Sequence, residues 1–221
     1  MRICAQTLPL LALMATSPLP GGIVGTTGNI QIVSPPASIL PNVFESDSFV
    51  RLFTERTNFI LPQAASVDVT SPGTYNGTGP LTPGSVPIGS MVNSYYLIFD
   101  PVGTTGGASF SGTVTFDAPI LGIAGLDTAL NNTDFAGAPG TIYPTGVGGR
   151  AFDFALGTVS GDELTLSADR RTITISGGAG PAQDELRVFV SAVPEPSTVF
   201  LCLAGLILIY YAAARPSPRP R

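Results

Sequence analysis

Ser109-Phe110-Ser111-Gly112-Thr113-Val114-Thr115-Phe116-Asp117 alternates from end to end. In an extended chain successive side chains point to opposite faces. Phe110, Val114 and Phe116 therefore share one side, and Ser109, Ser111, Thr113, Thr115 and Asp117 the other. Such a stretch is a strand with one face in a core and one in water.

The pattern recurs on both sides of it. Thr172-Ile173-Thr174-Ile175-Ser176 alternates in the same way, and Glu185 to Val190 places Leu186, Val188 and Val190 on one face. Ser94 to Phe99 is apolar on both faces and reads as a central strand covered on both sides. Further strands are expected at 30–33, 49–55, 66–70, 120–124, 151–156 and 164–167. Phe49, Leu52, Phe53 and Arg56 also fit a helix, but the strand reading is preferred. Pro72-Gly73, Asn76-Gly77, Pro83-Gly84, Gly106-Gly107, Pro139-Gly140 and Gly177-Gly178 lie between the apolar stretches, where turns belong. Residues 125–149 read as a long loop that covers one end of the fold or forms an insertion. The expected class is all-β: an antiparallel β-sandwich of jelly-roll type over residues 23–192, with enough chain for a real core.

Composition excludes much chemistry. The chain has no histidine, no tryptophan and, since its ten basic residues are all arginine, no lysine. Without histidine there is no Ser-His-Asp triad and no imidazole set for zinc. Without lysine there is no Walker-type phosphate loop. Gly146 to Ala151 loosely matches a dinucleotide loop, but Phe152-Asp153-Phe154 after it reads as strand, so an ordinary glycine turn is expected. Both cysteines, Cys4 and Cys202, lie outside residues 23–192, which therefore hold no disulfide and no thiolate site. No catalysis is expected.

Three constellations remain. Asp127, Asp134 and Asp153, with Asp100 and Asp117 at strand ends, could offer oxygens to calcium, although no calcium-loop spacing is present and solvated turn acids are the plainer reading. No other cofactor is expected. Asp162-Glu163 and Asp184-Glu185 are adjacent acids, and neighbours on a strand face opposite ways, so neither pair can flank one glycosidic bond. Tyr75, Tyr95, Tyr96 and Tyr143 could stack on sugars, though some must be core. Asn76-Gly77-Thr78 and Asn131-Asn132-Thr133 match glycosylation acceptors and read as turns.

Val193-Pro194-Glu195-Pro196 is followed by Ser197-Thr198, then sixteen residues without charge, Val199 to Ala214, and then Arg215, Arg219 and Arg221. As a helix the run spans about 24 Å, slightly under a hydrocarbon core of about 30 Å. The prolines start it, the tyrosines at 210 and 211 suit an interface, and the arginines mark the cytoplasmic side. At residues 193–221 the chain resembles the PEP-CTERM sorting signal of bacterial envelope and secreted proteins. The resemblance implies an exosortase that cuts near Pro-Glu-Pro, and a Gram-negative-type cell that often makes exopolysaccharide.

Residues 1–22 read as a signal peptide, with Arg2 as its basic region and Ile3 to Ala15 mostly apolar. The domain is then expected outside the cytoplasm, held at the inner membrane by one helix and passed on to the surface or medium. All fifteen acids and six of the ten arginines lie between Glu45 and Glu195, which gives six minus fifteen, or −9, against −5 for the chain. That sign argues against nucleic acid as a partner. The expected partners are the exosortase, the membrane and exopolysaccharide. The expected role is structural, in the envelope or matrix. A polysaccharide- or calcium-binding module is the alternative, and a glycosidase comes third.

Overall fold

In the computed structural model the alternating stretch forms strand β8, Ala108–Phe116. Residues 22–103, 107–155, 157, 161–180 and 182–192 are described. The Val193–Pro196 motif, the apolar run, Arg215, Arg219, Arg221 and the leader up to residue 21 lie outside the described residues.

One five-stranded sheet has the order β1 (Ile23–Gly28), β8, β11 (Thr172–Ala179), β10 (Glu163–Leu166) and β5 (Gly73–Tyr75). A second has the order β2 (Ile30–Ile32), β3 (Val50–Ile60), β7 (Met91–Phe99), β12 (Asp184–Ser191) and β9 (Ile120–Ala124). Strands β4 (Ala65–Val67) and β6 (Gly84–Val86) form a small separate pair. The class is all-β, as the alternation indicates. The expectation of purely antiparallel sheets needs one correction, because β2 runs parallel to β3, with Ile30 opposite Val50 and Ile32 opposite Leu52.

The two sheets close on one apolar core. Phe110, Val114 and Phe116 of β8 and Ile173 and Ile175 of β11 meet Leu97 and Phe99 of β7 and Leu186, Val188 and Val190 of β12. Ring contacts tie the layers: Tyr95 to Phe116 at 4.9 Å between centroids and Phe99 to Phe110 at 4.7 Å. Tilted aromatic pairs at this separation add attraction beyond area burial.

The outer faces of the two sheets differ. That of the second sheet is buried again under Ile39, Leu61, Val67, Val86 and the segment after β9. Strand β7 is therefore covered on both sides, as its apolar stretch Tyr95–Phe99 requires. Residues 125–149 do not form a plain loop. They contain a short helix α1, Asp127–Thr133, and one turn of 3-10 helix, Asp134–Ala136, and they lie over this outer face. Asp68 seats the start of α1, its Oδ2 accepting the Gly125 and Leu126 amides at 2.8 and 2.9 Å. The outer face of the first sheet carries threonine and serine and is open or half-open to solvent.

The strand expected over 49–55 is present as β3, which starts at Val50. Other expectations need correction. No strand covers 151–156 among the described residues, where Ala151 makes only a bridge to Glu185. Asn131-Asn132-Thr133 is the end of α1 and not a turn. Strand β1 was not legible as one. It leads into β2 through Gly28, at φ +70°, where the chain passes from one sheet to the other.

Candidate functional site

The densest set of ionisable groups lies between the second sheet and its cover. Alternation along β12 sends Leu186, Val188 and Val190 into the core and Glu185 and Arg187 the other way. A β-bulge between Thr54 and Arg56 of β3 leaves Glu55 unmatched on β7. Bulges re-aim side chains, and Glu55 here reaches the same outer face.

Arg187 is fully buried. Its Nε and Nη2 donate to Glu55 Oε2 and Oε1, both at 2.9 Å, and Nη1 donates to Thr133 Oγ1 at 2.9 Å and Asp134 Oδ1 at 3.0 Å. The guanidinium lies over the rings of Tyr96 and Tyr143 at 4.8 and 5.1 Å. Arg150 is its neighbour. Its Nε donates to Glu185 Oε2 at 2.6 Å, Nη1 to Asn131 Oδ1 at 2.8 Å and Asp134 Oδ2 at 2.9 Å, and Nη2 to the Tyr96 hydroxyl at 2.7 Å. Tyr96 and Gln183 both donate to Glu185, and Tyr143 donates to Glu55 Oε1 at 2.6 Å.

Two arginines thus face three carboxyl groups in a nearly dry layer. Burial pushes Glu185 up to about 7, against the opposing pull of Arg150. Burial also acts on Asp134, but hydrogen bonds from Arg150 and the charge of Arg187 outweigh it and hold that carboxyl below its usual range. Burial pushes the Tyr96 and Tyr143 hydroxyls above theirs, with help from Glu185 and Glu55 respectively. Glu55 is 4 % exposed and Glu185 0 %. No substrate reaches carboxylates so enclosed. What the network can do is fasten residues 127–150 to the sheet.

A second acidic group sits at the opposite, inner face of β12. Asp162 is buried, its Oδ2 accepting the Asp153 amide and its Oδ1 the Gly178 amide, each at 3.1 Å. Asp184 Oδ2 is buried with no hydrogen-bond partner. Asp184 lines a small apolar void with Phe99, Phe110, Phe152 and Leu186. Burial first, then the charges of Asp162, Asp153 and Glu185, push its carboxyl up to about 8. Asp184 and Glu185 do face opposite ways, as their adjacency requires.

Asp127, Asp134 and Asp153 have separate duties. Asp127 accepts the Gly149 and Arg150 amides at 3.1 and 3.0 Å. Asp134 belongs to the arginine network. Asp153 is raised by burial and by the charge of Asp127. Among the described residues, no group of three or more His, Cys, Asp or Glu side chains is placed to hold a metal ion. Tyr75, Tyr95 and Tyr96 are core residues and Tyr143 is half-buried, so the tyrosines form no sugar-stacking platform. Asn76 makes the turn expected of it, its Oδ1 accepting from the Thr78 hydroxyl at 2.6 Å. Nothing in the sequence marks Arg150, Arg187, Glu55 and Tyr96 as a group. Glu185 and Arg187 alternate with Leu186, Val188 and Val190, which is the pattern of an outward, solvated face.

Among the described residues no helix is long and apolar enough to cross a membrane. No family model, no curated protein and no solved structure matches this chain.

Proposed function

We propose that the chain is an exported envelope or extracellular protein, addressed by its PEP-CTERM-like segment to an exosortase, whose β-domain has a non-catalytic, structural role at the surface or in its matrix. The observation that carries this reading is an ordered one. Val193-Pro194-Glu195-Pro196, an uncharged run of membrane-spanning character and a basic end follow one another directly after the last strand. The geometry of the domain supports it. Its most reactive-looking side chains, Glu55, Glu185, Arg150 and Arg187, bind one another in a closed layer. Strand order also supports a jelly-roll-like form, since successive strands change sheet from β7 to β8 to β9.

Protease added to intact spheroplasts tests the topology. The reading requires digestion of the β-domain while a cytoplasmic control survives. Protection of both in intact spheroplasts, with digestion of both after lysis, would place the domain inside and remove the proposal.

Polysaccharide binding is the second reading, favoured by the hydroxyl-bearing outer face of the first sheet.

A further inference from the structure

Strand register brings one threonine from every strand of the first sheet into a single row. Thr27 of β1 stands opposite Thr113 of β8, Thr113 opposite Thr174 of β11, Thr174 opposite Thr165 of β10, and Thr165 opposite Thr74 of β5. Neighbouring strands lie about 4.8 Å apart, so the row is about 19 Å long. Two residues along, Thr115 pairs with Thr172, and on the other side Ser111 pairs with Ser176. Parallel rows of hydroxyls therefore repeat at about 6.7 Å.

Threonine is a common strand residue, and an outward threonine alone means little. Here all five strands contribute one, in register, and charge is nearly absent. Glu163, next to Ser176, is the one charged side chain in these three rows. The surrounding chain is strongly acidic between residues 45 and 195. The hydroxyls are oriented by one another, Thr74 to Thr165 at 2.8 Å, Thr113 to Thr174 at 3.1 Å and Thr115 to Thr172 at 3.2 Å between oxygens. Each such pair uses one O–H and leaves the other O–H and several lone pairs free.

We infer that this row is a docking strip for an uncharged polysaccharide chain, held by hydroxyl-to-hydroxyl hydrogen bonds along the five strands. The inference rests on the reading that the domain lies outside the cytoplasm. The chemistry selects the occupant. An anionic polymer is repelled by the acidic domain and finds no cation in the three rows. An apolar protein surface finds no large hydrophobic side chain there. A neutral, polyhydroxylated chain matches a face that both donates and accepts at regular intervals, and it can follow the twist that a five-stranded sheet accumulates. Each contact is weak and exchanges with water, so binding depends on engaging the whole row.

Affinity electrophoresis of the full chain, kept in a polyoxyethylene detergent without sugar groups, tests this. The gels contain hydroxyethylcellulose, dextran, soluble starch or galactomannan, with alginate as the anionic comparison. The expected result is retardation in at least one neutral gel, none in alginate, and a tenfold or greater loss of affinity in the T113V/T165V/T174V variant. Valine keeps the threonine shape, and an unchanged thermal midpoint certifies the fold. No retardation in any neutral gel, retardation that survives the triple substitution, or stronger binding to alginate would overturn the inference. Concentration-dependent self-association abolished by the same variant would also overturn it and give the face to a second copy of the chain. Binding that succeeds while the spheroplast test fails would sink the export reading alone.

Discussion

Arg187 on β12 holds Glu55 on β3 across the intervening strand β7, with two parallel bonds of 2.9 Å. The partners are 132 positions apart in the chain. Bidentate pairs of this kind are among the strongest polar contacts, yet their burial is costly and their net contribution small. They fix which segment covers the sheet more than they raise stability.

Breaking the pair on one side should therefore be far worse than removing both partners. Arg187→Met leaves Glu55 in a dry layer without its cation, while Asp134 keeps Arg150, with an expected loss of about 3–5 kcal/mol. Adding Glu55→Met should restore a large part of it. Urea denaturation of the two variants measures the difference, and equal losses in both would show that the bridge itself carries stability.

The pH dependence has a definite sign. Glu185 and Asp184 have folded values raised to about 7 and about 8, above the ordinary 4.5 and 3.8. Their favourable, protonated contribution is complete at pH below about 4 and is lost as pH rises through 7 and 8. Asp134 is lowered and works the opposite way, since its contribution is present above pH about 4 and lost as pH falls below its folded value. The thermal midpoint should therefore peak in mildly acidic solution and decline toward pH 8. Asp184→Asn should flatten that decline while changing little at pH 4. A midpoint rising steadily from pH 5 to 8 would contradict the burial of both carboxyls.

Calcium should have little effect on the fold. Asp134 is engaged by Arg150 and Arg187, and Asp127 by two backbone amides. A bound ion at one hundred times its dissociation constant would stabilise the fold by about 2.7 kcal/mol. A thermal midpoint that climbs several degrees in millimolar calcium, and falls again with chelator, would restore the calcium reading.

Gly28 should not tolerate a side chain. Its φ is +70°, and an added Cβ would lie 2.3 Å from the Ser111 carbonyl oxygen. Gly28→Ala should cost at least about 1–3 kcal/mol, read as an earlier unfolding transition. A variant as stable as the parent would show that the crossing from β1 to β2 can shift.

The sequence made some of this legible and hid the rest for physical reasons. Phe110, Val114 and Phe116 declared their strand because one face is wet and one dry, and the stretch at 94–99, apolar on both faces, declared a strand covered twice. β12 is also covered twice, but its second cover is ionic. Glu185 and Arg187 look like solvent-facing residues until Glu55, re-aimed by a bulge, and Asp134 are brought to them. Helix α1 has seven residues, two of them asparagines, and forms because Asp68 and Arg187 hold its ends. Strand β1 contains two glycines in six residues and is defined by its partner β8. The threonines at 113, 172 and 174 were visible as outward residues, but the row that they share with 27, 165 and 74 exists only in the register.

The proposed processing of residues 193–221 as a sorting segment is directly measurable. Pro194 and Pro196 favour an extended backbone, which a protease cleft accepts, just before a run that is short for a permanent anchor. Intact-mass analysis of the protein recovered from its native host should give a mature form lacking residues 199–221. A mass that still includes Arg219 and Arg221, in cells with an active exosortase, would contradict the sorting account and leave a β-domain retained on its own membrane segment.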